Sequence, residues 1–331
     1  MFSRLYHVKN IIIFLVYSLR KVTDISIDSL MSISDLVKGY GKAGGFTARY
    51  ISEAHEILVK SLKNKDTRVF LSFTADIIAT GLRGIIRDMI KLNWIDIIIT
   101  TCGSWDHDIA RTFKDYYIGD FYVDDKKLLE KGIHRLGNIY VPKESYGITI
   151  ERFTSKLLNE LYSNNIRSIS TYELSWYIGE RLNESAILWW CWKKKIPLIV
   201  PGPYDGAVGS QIWIFQQRHR DFKIDLFKDE SLLSDLVFES KQTAGIIIGG
   251  GISKHHLLWW NQFKDGLDYA IQITTGIELD GSLSGARLKE AISWRKVSDK
   301  GRCVTIWGDA TIILPIIVAS AYQEVGERKI T

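Results

Sequence analysis

The C-terminal third of the chain gathers the residues best suited to chemistry. Gly249-Gly250-Gly251-Ile252-Ser253-Lys254-His255-His256 follows an apolar run. Successive glycines let the phosphates of a ligand come close to backbone N–H groups. A histidine beyond such a turn, with an ordinary pKa of about 6.5, suits proton transfer at neutral pH. Adjacent histidines point in different directions, and no carboxylate or cysteine stands at matching spacing. The pair therefore reads as a general base rather than a metal site. Further on, Glu290-Ala291-Ile292-Ser293-Trp294-Arg295-Lys296 ends in a lysine. A lone lysine is ordinarily a surface charge. It forms a Schiff base only when held uncharged by burial or by neighbours, and Trp294 offers apolar cover two residues away.

Such residues need a scaffold. Val69–Phe73, Ile95–Thr101, Ile196–Val200, Ala244–Ile248, Tyr269–Thr274 and Val304–Trp307 are short, β-branched apolar runs. Nearly unbroken runs of this length suit strands buried on both faces. Stretches with helical spacing lie between them, at Ile77–Leu92, Leu174–Lys194 and Leu226–Lys241. The alternation predicts an α/β domain: a single doubly wound, mainly parallel, Rossmann-like sheet with helices on both faces. In such a sheet the ligand sits beyond the carboxyl ends of the strands. Those ends here are rich in glycine, hydroxyl and carboxylate groups, as in Ser72–Asp76, Thr100–Ser104, Pro201–Gly206, Thr274–Gly276 and Gly308–Ala310. Asp205 and Asp309 have the chemistry to accept hydrogen bonds from ribose hydroxyls. Single glycines and aspartates also cap helices and make turns. Their gathering at one edge is what marks a crevice. No GxGxxG fingerprint follows any of these apolar runs, so an ordinary dinucleotide dehydrogenase is not indicated.

The run Asp280-Gly281-Ser282-Leu283-Ser284-Gly285-Ala286, continued by Glu290-Ala291, Ser293-Trp294 and Lys296, closely resembles the deoxyhypusine synthase family. Thr171–Gly179 resembles the family's Tyr-Glu-x-Ser-x-Tyr-Ile-Gly segment, and Tyr204–Gly209 its Thr-Asp-Gly-Ser-x-Gly turn. Gly249–His256 is similar to its Gly-Gly-Gly-x-x-Lys-His-His, Thr100–Gly103 to its Thr-Thr-Ala-Gly, and Gly308–Ala310 to its Ala-Asp-Ala. Ala75-Asp76-Ile77 stands where Ser-Asn-Leu is common. The resemblance runs from about residue 40 to about residue 320. It implies NAD as cofactor, spermidine as aminobutyl donor and the precursor of translation initiation factor 5A as acceptor. It also implies a cytoplasmic homotetramer with sites shared across a subunit interface. Lys296 would be the covalent nucleophile and His255 the active-site base. Trp294, Glu290 and His256 would meet the substrate. Asp76, Thr101, Cys102, Gly103 and Asp205 would line the cofactor site, together with Thr275, Gly276, Gly281, Ser282, Asp309 and Ala310.

The amine-recognition positions depart from that pattern. Spermidine is a polycation, and its pocket should offer carboxylates. Three acidic positions of the eukaryotic pattern are Ser210, Leu283 and His107 here, although Asp106 and Asp108 flank the last. Two further amine-contacting positions are Trp259 and Gln272. The sequence looks closer to the archaeal branch. These departures leave open a relative resembling homospermidine synthase, which passes the aminobutyl group to a small amine such as putrescine or agmatine. A non-catalytic NAD-binding protein or a sirtuin-like deacylase is a third reading, because Gly250–Ser253 faintly resembles the sirtuin glycine motif. The zinc-binding cysteine pairs of sirtuins are absent, and intact Lys296 speaks against a dead relative.

The bulk properties are those of a globular chain. Of 331 residues, 46% are hydrophobic and 24% charged, and the net charge is +5 with the two signs interspersed. Nothing there points to nucleic acid. Cys102, Cys191 and Cys303 are widely spaced, which fits a reducing cytosol and gives no metal framework. The apolar run Ile11–Tyr17 is far shorter than the roughly 20 residues of a membrane helix, and no membrane association is expected. Residues 1–35 read as an N-terminal extension, with Met31 a candidate initiator, and residues 36–331 as the catalytic domain.

Overall fold

The computed structural model of the chain describes residues 20–27 and 31–329. The Ile11–Tyr17 run lies outside them. The first described helix, α1 (Ile33–Ala43), begins ahead of the expected boundary at residue 36 and pairs with α2 (Phe46–Lys63). Ser32 opens α1 as an N-cap, accepting from the Asp35 N–H while the Asp35 side chain accepts from the Ser32 N–H.

The six apolar runs form one parallel sheet. Its strands are β1 (Thr67–Phe73), β2 (Ile97–Ile99), β7 (Leu198–Ile199), β9 (Gln242–Ile248), β10 (Leu267–Thr274) and β11 (Val297–Trp307), in the order β11-β10-β9-β1-β2-β7. Every pairing is parallel. Counted along the chain, the order is 6-5-4-1-2-3, that of dinucleotide-binding folds, and it reverses between β1 and β9. Alternate side chains point to opposite faces. Val69, Leu71 and Phe73 join one core cluster, and Phe70 joins another with Ile97, Ile99 and Ile247. Helices cover both clusters. On the second face lies α11 (Gly251–Asn261), whose Leu257 and Leu258 pack against β1 and β2. Following β9, it runs back from the carboxyl edge of the sheet toward the amino edge.

Two expected helices are broken. The stretch 77–92 becomes a 3-10 turn (Ala75–Ala79) and α3 (Leu82–Lys91), because the Thr80 hydroxyl donates to the Ile77 carbonyl and accepts from the Leu82 N–H. The stretch 174–194 becomes α7 (Thr171–Glu180) and α8 (Ile187–Lys194). Asp108, on α4 (Gly103–Phe113), accepts the Ile187 and Leu188 N–H groups at 3.1 and 2.8 Å and starts α8 afresh. Buried Arg83 holds the same carboxylate at 2.6 Å. A small antiparallel flap was not expected. It comprises β3 (Tyr117–Ile118), α5 (Asp125–Glu130), β4 (Ile133–Leu136) and β5 (Ile139–Pro142), with β5 in the middle. Gly137-Asn138 is its hairpin turn, and Gly137 takes a φ of 58°.

Candidate active site

The crevice at the carboxyl edge is built by short-range polar ties. Thr100 follows β2, and its hydroxyl donates to the Phe73 carbonyl at 2.9 Å. Thr101 Oγ1 accepts the Ala75 N–H at 3.2 Å. Asp106 binds the tip of β2 to that of β7, accepting the Ala207 and Val208 N–H groups and the Tyr146 hydroxyl, each at 2.8 Å. Burial raises its pKa, and those hydrogen bonds oppose the rise. A Cβ at Gly103 would lie 2.9 Å from that of Ala75, and one at Gly206 would lie 2.7 Å from Cys102 Sγ. The strand tips therefore meet as closely as bare backbone allows.

Around this crevice stand most of the cofactor candidates. Asp76 is exposed and takes the Thr74 hydroxyl at 2.5 Å. Asp205 and Thr275 are exposed, and Gly276 accepts the Trp307 indole N–H at 3.1 Å. Asp309 caps α13 (Ala310–Val325) by accepting the Thr311 N–H at 2.8 Å. Gly281 and Ser282 sit on an exposed turn, with Gly281 at φ 70° and open space where a Cβ would be. Cys102 alone of the set is wholly buried, and burial drives its thiol pKa strongly upward. Only its backbone can face the crevice.

The lysine candidate lies elsewhere on the same surface. Lys296 immediately precedes β11, and its carbonyl accepts the Leu267 N–H, at the amino edge of the sheet. The eight residues of β10 separate that edge from the strand tips by roughly 25 Å. Its side chain turns toward α11. Lys296 Nζ is 5.6 Å from the Trp259 ring centre and 5.4 Å from that of Trp294. His255 stacks on Trp259, with ring centres 5.7 Å apart and planes 26° apart. Burial and the nearby Lys296 charge lower the His255 pKa. The glycine turn, His255 and Trp259 thus follow one another along α11, His255 about 6 Å and Trp259 about 12 Å from its start.

The remaining candidates divide. His256 points away from Trp259, with Nε2 3.2 Å from Glu230, whose other oxygen accepts the Trp260 indole N–H at 2.5 Å. Glu290 is exposed at the start of α12 (Glu290–Ser293). Its charge acts on Lys254, which the sequence did not single out. Lys254 is 2% exposed, and its Nζ donates to the Leu283 and Ala286 carbonyls, both at 2.6 Å. Burial brings its pKa down to about 8 against the pull of Glu290. That clamp pins the Gly281–Ser282 turn to the helix carrying His255. Gln272 and Thr274 reinforce it, both donating to the Ser284 carbonyl at 3.0 and 2.9 Å.

None of the altered acidic positions supplies a charge to an amine. Ser210 returns its hydroxyl to the Gly206 carbonyl. His107 Nδ1 lies 2.9 Å from the Tyr116 hydroxyl, and burial lowers its pKa to about 4. Leu283 is half-exposed. Among the described residues, no group of three or more His, Cys, Asp and Glu side chains is placed to hold a metal. No described helix is long and apolar enough to cross a membrane. A cavity of about 1260 Å³ opens between α1, α2 and residues 20–23, away from every candidate residue.

Known proteins are similar to this chain in sequence and in fold. The family model described as deoxyhypusine synthase matches residues 35–321. A Picrophilus torridus protein named "probable deoxyhypusine synthase" is 54% identical over 299 residues, covering 90% of this chain and 96% of that one. A Thermoplasma acidophilum protein of the same name is 50% identical over 301 residues, covering 91% and 96%. A crystal structure of a candidate deoxyhypusine synthase from Entamoeba histolytica has a TM-score of 0.64 at 19% identity. It covers 93% of this chain and 100% of that one, a likeness of fold. From the length of the family match and the identity of these relatives, the chain belongs to the deoxyhypusine synthase family.

Proposed function

We propose that the chain transfers the aminobutyl group of spermidine to one lysine of the translation initiation factor 5A precursor, through an imine on Lys296. The carrying observation is that Lys296 Nζ lies 5.6 and 5.4 Å from the Trp259 and Trp294 ring centres, with His255 stacked on Trp259. NAD fits the crevice on three counts. The strand order reverses between β1 and β9, Gly249 and Gly251 take φ of 82° and 65° without a Cβ to obstruct a ligand, and the N-terminus of α11 follows directly. Asp76, Thr101, Gly103, Asp205, Thr275, Gly276, Asp309 and Ala310 would hold it, with Gly281 and Ser282 closing over. Bound there, NAD supplies a hydride acceptor at the start of the reaction and a hydride donor at its end.

The chain's own residues then divide the remaining work. His255 takes the proton lost as the donor's C–N bond becomes C=N. The Lys296 amine adds to that carbon, and 1,3-diaminopropane leaves with the original nitrogen. The aminobutyl group stays as an imine on Lys296 until the target lysine displaces Nζ. Trp294 shields the imine carbon from water. In one subunit Trp294 is 65% exposed, so the pocket needs a further wall. A homotetramer with the site completed across an interface meets that need. Sedimentation showing a fully active monomer would remove this part of the proposal.

Borohydride trapping tests the central step. With NAD and labelled spermidine, wild type should retain label and Lys296→Ala should retain none, while NAD affinity stays within about twofold. A label that persists in Lys296→Ala refutes the assignment. Transfer of label from wild type only to putrescine or agmatine, and none to factor 5A, would favour the small-amine acceptor instead.

A further inference from the structure

The cavity of about 1260 Å³ between α1, α2 and residues 20–23 takes no part in the chemistry above. Eight lysines and arginines line it against two glutamates, a net charge of +6 where the whole chain carries +5. Both glutamates are already engaged. Glu324 is held by Lys38 at 2.7 Å, by the Ser34 hydroxyl at 2.9 Å and by His55 at 3.1 Å, and Glu56 is held by Arg302 at 3.0 Å. Arg20, Lys21, Lys42, Arg49, Lys60 and Lys63 make no ion pair among the described residues. Lys60 Nζ lies over the Tyr269 ring, 5.6 Å from its centre, rather than beside an acid. Glu53, in an adjoining hollow, offsets only one of these charges. Like charges gathered on one wall repel, and a bound anion relieves that repulsion.

The spacing selects the kind of anion. Arg49, Ser52, Glu56, Lys60 and Lys63 recur every three or four residues, so one face of α2 lines the cavity. From Arg49 to Lys63 that face runs about 21 Å at 1.5 Å per residue. Lys42 joins it from α1. A single phosphate would meet two or three of these cations, whereas a chain of phosphates can lie along the row. The floor does not repel it. Ser52 and His55 are buried, and the His55 ring spends one nitrogen on Ser320 at 2.8 Å and the other on Glu324. We propose that this cavity binds a chain of three or more phosphates, either inorganic or as the tail of a nucleotide. The site is separate from the strand-tip crevice and from Lys296.

Calorimetric titration of inorganic tripolyphosphate and, separately, of ATP into the full-length protein tests this. Excess NAD is present throughout, so that ATP does not report on the strand-tip crevice. Both anions should bind, and several-fold more weakly when salt rises from about 50 to about 200 mM. Lys42→Gln/Lys60→Gln should weaken both by about 5- to 30-fold. Both lysines are exposed, so this variant should keep the wild-type Tm when no anion is added. Lys126→Gln/Lys143→Gln removes the same charge from exposed positions elsewhere and should alter binding by no more than about twofold. Tripolyphosphate as tight as ATP upholds the site as one for phosphates alone. ATP tighter by about tenfold or more upholds it as a nucleotide site. No binding of either anion by the wild type overturns the proposal. Equal weakening by the two double variants overturns it as well, as does binding of an RNA oligonucleotide but of neither small anion.

Discussion

Replacing Lys254 by methionine should loosen one turn while barely touching the global fold. The buried ammonium donates to two carbonyls at 2.6 Å, and charge-assisted bonds of this kind contribute about 1.5–3 kcal/mol each. Against them stands burial, which brings the pKa from 10.5 to about 8 and so costs the ammonium roughly 3 kcal/mol. Methionine removes both effects and keeps the apolar stem. The net loss at pH 7 should be about 0–3 kcal/mol by urea denaturation. The pH dependence has a definite sign. Between pH 8 and 10.5 the unfolded chain keeps a proton that the folded chain has released, so folded stability rises with pH. The neutral amine still has hydrogens for both carbonyls. Wild type should therefore gain up to roughly 3 kcal/mol over Lys254→Met across that window. NAD affinity at pH 7 should fall about tenfold in the variant, as the Gly281–Ser282 turn leaves α11. A stability difference that stays flat or shrinks from pH 8 to 10.5 would refute a buried, charge-penalised Lys254. Unchanged NAD affinity would refute its role as a clamp.

Other perturbations probe separate parts of the site. Burial and Lys296 lower the His255 pKa, so its base form should persist below pH 6.5. The first hydride step, followed as NADH absorbance, should hold its rate into that acid range, and a fall centred at pH 6.5 or above would contradict the assignment. His255→Ala should slow the same step at every pH. Asp108→Ala strands buried Arg83 and two helix N–H groups, and should cost about 3–5 kcal/mol by denaturant titration. A Cβ at Gly250 would overlap the Ser284 backbone, so Gly250→Ala should weaken NAD binding far more than it lowers Tm. Equal losses in both would mean that it merely unfolds the chain.

Much of the scaffold was legible because buried parallel strands have a plain signature. β1, β9 and β10 coincide with their apolar runs to within about three residues. The helix breaks were less legible for different reasons. Thr80-Gly81 carried a local stop signal, whereas the restart at Ile187 depends on a carboxylate 79 positions away. The flap had its Gly137-Asn138 turn signal, but its strands are too short and too exposed to stand out as apolar runs. At the site, the strand-tip residues could be read as a group because topology gathers strand ends. The positions of Lys254 and His256 could not. Neighbours on one helix, they differ from His255 only in direction, and direction follows from what Leu283, Ala286 and Glu230 place opposite them.

The flap has a consequence for how the molecule breathes. Across residues 117–142 only Leu128 and Val141 are buried, while Tyr117, Ile118, Phe121 and Tyr122 face solvent. So thin an apolar anchor lets this unit detach without the rest. Its amides should trade deuterium quickly, whereas those of β1 and β9 wait for complete unfolding. A protease should find residues 120–122 first, and the nicked chain should stay folded and keep its crevice at the strand tips.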